Sequence, residues 1–192
     1  MVSINDESAP ASDTVLEVED LRTHFKTEDG EVAAVDGVSF VVRRGRTLAL
    51  VGESGSGKSV TSHSILRLIQ PPGRICGGRM LLRSARAGDI DLARLDERSP
   101  LLYRVRGGLV SMIFQEPSSA LSPVHTVGDQ ICEAILLHQP VNKAEARTRA
   151  IDMLGKVGIP DPAHRFTQYP HELSGGMRQR VVIAMALVCR PE

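Results

Sequence analysis

The residues Gly52-Glu53-Ser54-Gly55-Ser56-Gly57-Lys58-Ser59 place a lysine and a hydroxyl directly behind a glycine-rich loop, in the spacing GxxxxGK[ST]. Glycines at these positions let successive backbone N–H groups turn inward and form a concave anion site. A helix opening at the end of the loop aims its positive end at the same point. Lys58 has the reach for β- and γ-phosphates, and the Ser59 hydroxyl suits a magnesium ion. The chemistry implied is the gripping of a nucleoside triphosphate with Mg²⁺. The competing reading, a Gly-Ser loop with an incidental lysine, fits poorly with the setting between a short apolar run, Thr47 to Val51, and a helical stretch, Ser59 to Ile69.

A second group, Leu173-Ser174-Gly175-Gly176-Met177, sets a hydroxyl and two glycines at the start of another helical stretch. Alone, this is equally well read as an N-cap with flexible glycines. Its exposed N–H groups and hydroxyl are also what an anion requires. Between the two groups, Phe114-Gln115 closes an apolar run that begins at Leu109. The three cysteines, Cys76, Cys132 and Cys189, lack a CxxC pair or a metal-ligand spacing, and read as reduced, buried or half-buried thiols.

The elements that position these groups follow from pattern. Val15 to Asp20, Val32 to Val35 and Val38 to Val42 alternate as short strands, with Glu28-Asp29-Gly30 and Asp36-Gly37 as turns, which predicts an antiparallel meander. Thr47–Val51 and Leu109–Phe114 read as buried strands. Met80 to Leu82 and Asp89 to Leu92 are further strand candidates, and Leu101 to Val105 a short helix. From Thr126 onward the period is helical. Ile131, Ala134, Ile135 and His138 share one face, and Ala146, Ala150, Met153, Leu154 and Val157 share another. Asn142 with Glu145 forms a capping pattern ahead of the second of these helices. The last helix spans about 175 to 189.

Across 192 residues, Lys+Arg and Asp+Glu both number 23, so the formal charge is zero and nothing points to nucleic acid as a partner. With 42% apolar and 24% charged residues, the composition is that of a globular domain. The longest strongly apolar run, Val181 to Cys189, falls well short of the ~20 residues that cross a bilayer. Residues 1–13 are polar and acidic, unlike a signal peptide, and read as a disordered lead-in to a domain covering 14–192.

Taken together and in order, the loop Gly52–Ser59, Gln115 and Leu173–Met177 resemble the nucleotide-binding domain of ABC transporters. The resemblance covers about residues 15 to 192. It implies a P-loop NTPase fold with an antiparallel β subdomain, a RecA-like parallel-sheet core and a helical subdomain at about 116–173. It also implies ATP and Mg²⁺ as cofactors. Gln115 would sense Mg²⁺ and the γ-phosphate and contact the permease. Ser174, Gly175 and Gly176, with Met177, would meet the ATP of a second nucleotide-binding domain in a head-to-tail pair. Phe25 stands where the family places an aromatic that stacks on adenine, although a core role suits it too. Integral-membrane permease subunits and, indirectly, an extracytoplasmic binding protein would be partners, with the chain peripheral on the cytoplasmic face of the inner membrane.

Three stretches resemble the ATP-binding subunits of oligopeptide, dipeptide and glutathione importers: Gly52–Thr61, Met112–Pro117 with Thr126-Val127-Gly128, and Tyr169–Leu187. Met177, where many family members have Gln, is the form seen in peptide importers. Arg79–Leu82, Leu137–Gln139 and Cys189-Arg190-Pro191 are most similar to the glutathione importers. Ser122-Pro123 departs from the usual Asn-Pro. In the family, an Asp-Glu strand end and a switch histidine follow the signature helix. The sequence ends at Glu192, and its 6 histidines (His24, His63, His125, His138, His164, His171) all lie within or before the signature segment. The expectation is an ATP-binding fragment without hydrolytic residues, inactive and poorly stable alone. A non-transport ABC ATPase and a non-catalytic remnant are the alternatives. Nothing in the residues chooses among dipeptide, oligopeptide, glutathione and nickel as cargo.

Overall fold

The computed structural model describes residues 13–116 and 120–192, so most of the expected lead-in, and Pro117, lie outside the described residues. The chain divides into two units, one running through Leu102 and taking in Glu192, the other Tyr103–Pro191.

The first unit is built on a four-stranded antiparallel sheet in the order β2-β1-β3-β4, formed by β1 (Thr14–Thr27), β2 (Gly30–Arg43), β3 (Gly73–Ser84) and β4 (Gly88–Asp91). Val18, Leu21, Met80, Leu82 and Leu92 are fully buried in it, with Val35, Phe40, Leu66 and Ile90 nearly so. Each such side chain contributes about 1.5–3 kcal/mol by leaving water. Helix α1 (Lys58–Ile65) is tied to this unit by a buried hydroxyl pair, Thr23 Oγ1 and Ser64 Oγ at 2.8 Å.

Glu28-Asp29-Gly30 turns the chain as expected, but Asp36-Gly37 does not. It lies inside β2, where the pairing with β1 shifts register on both sides of Leu21↔Val38. Gly37 takes φ +73 there and Asp20 on β1 takes φ +47. The Arg22 guanidinium donates to Asp20 Oδ1 at 2.9 Å and to Asp36 Oδ1 at 2.5 Å, clamping the bulge. An Asp-Gly pair can reverse a chain or be absorbed as a bulge; here Val35 and Phe40 both need the same partner strand, and one long strand satisfies both.

The parallel sheet is the larger difference. Neither Thr47–Val51 nor Leu109–Phe114 forms a ladder among the described residues, beyond one isolated bridge between Arg106 and Val110. Val51 is 81% exposed, and Ile113 and Phe114 are also exposed. A strand is defined by the neighbour that satisfies its N–H and C=O groups, and no neighbour pairs with either run among the described residues.

The second unit is helical: α3 (Val127–His138), α4 (Lys143–Lys156), α5 (Pro162–Phe166) and α6 (Gly175–Leu187), preceded by the short α2 (Pro100–Val105) at the junction of the units. Val127, Ile131, Ile135, Ala146, Ala150, Leu154, Val181 and Ala184 form its core. The expected faces of α3 and α4 therefore point inward. Thr126 and Asn142 cap these helices, accepting from the N–H of Asp129 and Glu145. Gly128 lies so close to the Phe166 ring that a Cβ would sit 2.4 Å from it. The Arg147 guanidinium covers the same ring at 4.4 Å. Among the described residues no helix is long and apolar enough to cross a membrane.

Candidate nucleotide phosphate site

The loop Gly52–Ser59 is held in shape by backbone conformations that only glycine adopts easily. Gly55 and Gly57 have φ +82 and +87. A Cβ on Gly57 would lie 2.3 Å from the Ala34 carbonyl oxygen, so the loop rests directly on the backbone of β2. A Cβ on Gly52 would lie 2.6 Å from Ser56 Oγ. The Ser56 N–H donates to the Glu53 carbonyl at 3.2 Å, closing a turn across the middle.

Lys58 folds back over this loop. Its ammonium donates to the Gly52 and Glu53 carbonyls at 2.8 and 2.6 Å, and to Ser56 Oγ at 3.2 Å. The charge is thus stationed on the loop itself rather than in solvent. Gly57 is the N-cap of α1, with no side-chain cap and no acidic residue in the first turn, so nothing competes with an incoming anion there. Gly52 to Ser56 and Ser59 are exposed, with Gly57 and Lys58 half-buried. The donor set fits a phosphate chain: backbone N–H groups on positive-φ glycines, one ammonium, one helix start and the Ser59 hydroxyl for a hard cation.

Phe25 is half-buried on β1 of the same unit, its ring packed against Gly73, where a Cβ would meet it at 2.5 Å. Gln115 lies on an exposed bend in the helical unit. Ser174, Gly175 and Gly176 open α6 in that unit and are exposed, with no heavy atom near either glycine's free position. Ser174 Oγ accepts from the Met177 N–H at 3.3 Å, so the N-cap reading of this segment is realised. Residues 52–59 converge in one loop and 174–177 in one helix start.

Supports for the second segment were not legible in the motif. Arg180 donates to the Gly158 carbonyl at 2.7 Å, fixing α6 against the end of α4. The Glu172 carboxylate accepts from the Tyr169 N–H at 2.7 Å, and Leu173 is buried. Glu192 was also missed: its carboxylate, 7% exposed, sits in the turn after β3. The sequence signal for Arg180 and Glu192 is weak, because each depends on a partner carbonyl or N–H distant along the chain, whereas the Glu172 bond spans only three residues.

A family model described as "ABC transporter" matches residues 35–192. The chain is 51% identical over 178 residues to a putative peptide import ATP-binding protein of Brucella abortus, covering 92% of this chain and 52% of the relative. It is 50% identical over 179 residues to the dipeptide transport ATP-binding protein DppD of Bacillus subtilis, covering 93% of this chain and 51% of that one. The chain thus spans about half the length of the curated relatives it matches. Among solved structures, an ATP-binding cassette dimer in a post-hydrolysis state with ADP and Pi aligns with a TM-score of 0.76 at 24% identity, covering 92% of this chain and 70% of that one. The cbiO1 protein of Clostridium perfringens aligns at 0.68 with 26% identity, covering 93% and 63%. The antiparallel sheet, the phosphate loop and the helical unit are those of an ABC ATPase cassette, and the chain belongs to the ABC transporter family.

Proposed function

We propose that this chain is the ATP-binding part of the ATPase subunit of a peptide importer. The observation that carries this is the loop Gly52–Ser59, with Lys58 stationed on it at 2.6–2.8 Å from two of its carbonyls, in a chain half-identical to peptide and dipeptide import ATP-binding proteins. Lys58 holds the β- and γ-phosphates and exchanges its carbonyl contacts for them on binding. Ser59 would hold Mg²⁺, and Phe25 offers a π-face to the adenine. Bound Mg²⁺ supplies charge neutralisation across the phosphates. Ser174, Gly175 and Gly176, beside Met177, meet the γ-phosphate held by a second ATPase domain in a head-to-tail pair.

In the assembled transporter, ATP hydrolysis drives import through membrane-embedded permease subunits served by an extracytoplasmic binding protein. The chain acts on the cytoplasmic face of the inner membrane. Glutathione enters as a candidate cargo through the resemblance of the stretches Arg79–Leu82, Leu137–Gln139 and Cys189–Pro191 to glutathione importers, not through any cargo-binding residue of this chain.

Calorimetric titration with Mg²⁺–ATP tests the site. Saturable binding is expected, weakened a hundredfold or more by Lys58→Ala while the urea unfolding midpoint stays unchanged. Equal affinity in the wild-type chain and the variant would overturn the assignment.

A further inference from the structure

Of the three thiols, Cys76 departs from the expected burial and is exposed. It sits in β3 at a register shift: Arg22 pairs with Gly77 and Thr23 with Ile75, leaving Cys76 without a partner across the ladder. Such a bulge re-aims a side chain. Here it brings Cys76 to the face shared by His24 of β1 and Glu31 of β2. One ligand atom from each, a ring nitrogen, a carboxylate oxygen and the thiol sulfur, lies within 4.8 Å of the other two.

We propose that His24, Glu31 and Cys76 form a binding site for a zinc-type divalent transition-metal ion, separate from the nucleotide loop. Imidazole, carboxylate and thiolate are the donor types that zinc takes together, with a fourth position left for water. His24 Nδ1 and Glu31 Oε1 are 3.1 Å apart. Bonds of about 2.0–2.2 Å in a tetrahedron set such ligand atoms roughly 3.3 Å apart. The sulfur closes on them by a side-chain adjustment that its exposure allows.

The ring orientation selects the ligand atom: Nδ1 faces Glu31, while Nε2 is shut off from solvent, so the metal would bind through Nδ1.

The opposing group is also plain. The Arg74 guanidinium donates to Glu31 Oε1 at 3.0 Å, and Lys26 lies directly across the ladder from Glu31. The Arg74 side chain is 71% exposed, so water screens its pairing with Glu31. A metal ion displaces it. Removing Arg74 should therefore tighten the site, an effect that a purely structural ion pair does not predict.

The test uses the full chain, without nucleotide, so it does not depend on the ATP reading. Cobalt(II) is the probe, because a thiolate ligand gives it a sulfur-to-metal charge-transfer band. The expected result is a band saturating at one equivalent and abolished by zinc. Cys76→Ser should remove it, His24→Gln and Glu31→Gln should weaken binding at least tenfold, and Arg74→Gln should tighten it severalfold. Matching urea midpoints show that the variants are folded, as expected for these accessible positions. Absence of the band, or a band retained in Cys76→Ser, overturns the proposal, the second outcome placing the metal on Cys132 or Cys189.

Discussion

Glu192 gives the sharpest quantitative test of the packing. Its side chain is 7% exposed, yet it carries a full set of donors. Ser84 Oγ donates at 2.9 Å, the Ala85 and Arg86 N–H groups at 2.8 and 3.2 Å, and Arg86 Nε at 2.9 Å, with Arg44 Nη2 at 4.0 Å. Burial pushes the carboxyl up, but the Arg86 guanidinium, the Ala85 N–H, the Ser84 hydroxyl and the Arg86 N–H together outweigh it. The result is a pKa lowered from 4.5 to about 2. Each pKa unit corresponds to about 1.4 kcal/mol, so the ionised carboxylate contributes roughly 3 kcal/mol to folding at neutral pH.

The sign follows from the depressed value. The contribution is fully present above the unfolded pKa of 4.5 and is lost as pH falls through the folded value of about 2. More than half of it is gone by about pH 3. Glu192→Gln keeps the shape but removes the charge and turns an NH₂ toward N–H donors. Urea unfolding should show it destabilised by roughly 2–3 kcal/mol at pH 7, most of the gap closing by about pH 3. Equal stability of the two chains at pH 7, or a gap independent of pH, would refute the claim that the carboxylate's charge holds this turn.

Gly57→Ala forces a Cβ onto a residue at φ +87 and within 2.3 Å of the Ala34 carbonyl. A loss of at least ~1–2 kcal/mol in chemical unfolding is expected, together with loss of nucleotide binding, whereas Ala at Gly175, which faces open space, should cost no more than a few tenths. Phe166→Ala empties the socket between Gly128 and Arg147 and should cost about 3–5 kcal/mol, read from the same unfolding curves. Ser174→Ala removes the bond from the Met177 N–H and should destabilise by about 1 kcal/mol, detectable as reduced hydrogen-exchange protection in the first turn of α6.

The phosphate loop was readable because its chemistry is local. Glycines, lysine and serine at fixed offsets fix the backbone of the loop, and the structure adds that Lys58 rests on Gly52 and Glu53 carbonyls. The helix caps at Asn142 and Ser174 were readable for the same reason, each bond spanning three residues. What failed to read out depends on partners far along the chain. Asp36-Gly37 looks like a turn until β1 is placed beside it, and Cys76 looks like a core thiol until a bulge turns it outward. Thr47–Val51 and Leu109–Phe114 show the limit from the other side. An apolar, β-branched run states that a segment suits a sheet, but the ladder belongs to the pair, and neither run finds its pair among the described residues. The exposed Val51, Ile113 and Phe114 therefore mark where local propensity and local structure part company. The loop between Val51 and α1 keeps its shape through Gly57 on β2 and Lys58 on its own carbonyls, although the run Thr47–Val51 that enters it pairs with no strand among the described residues.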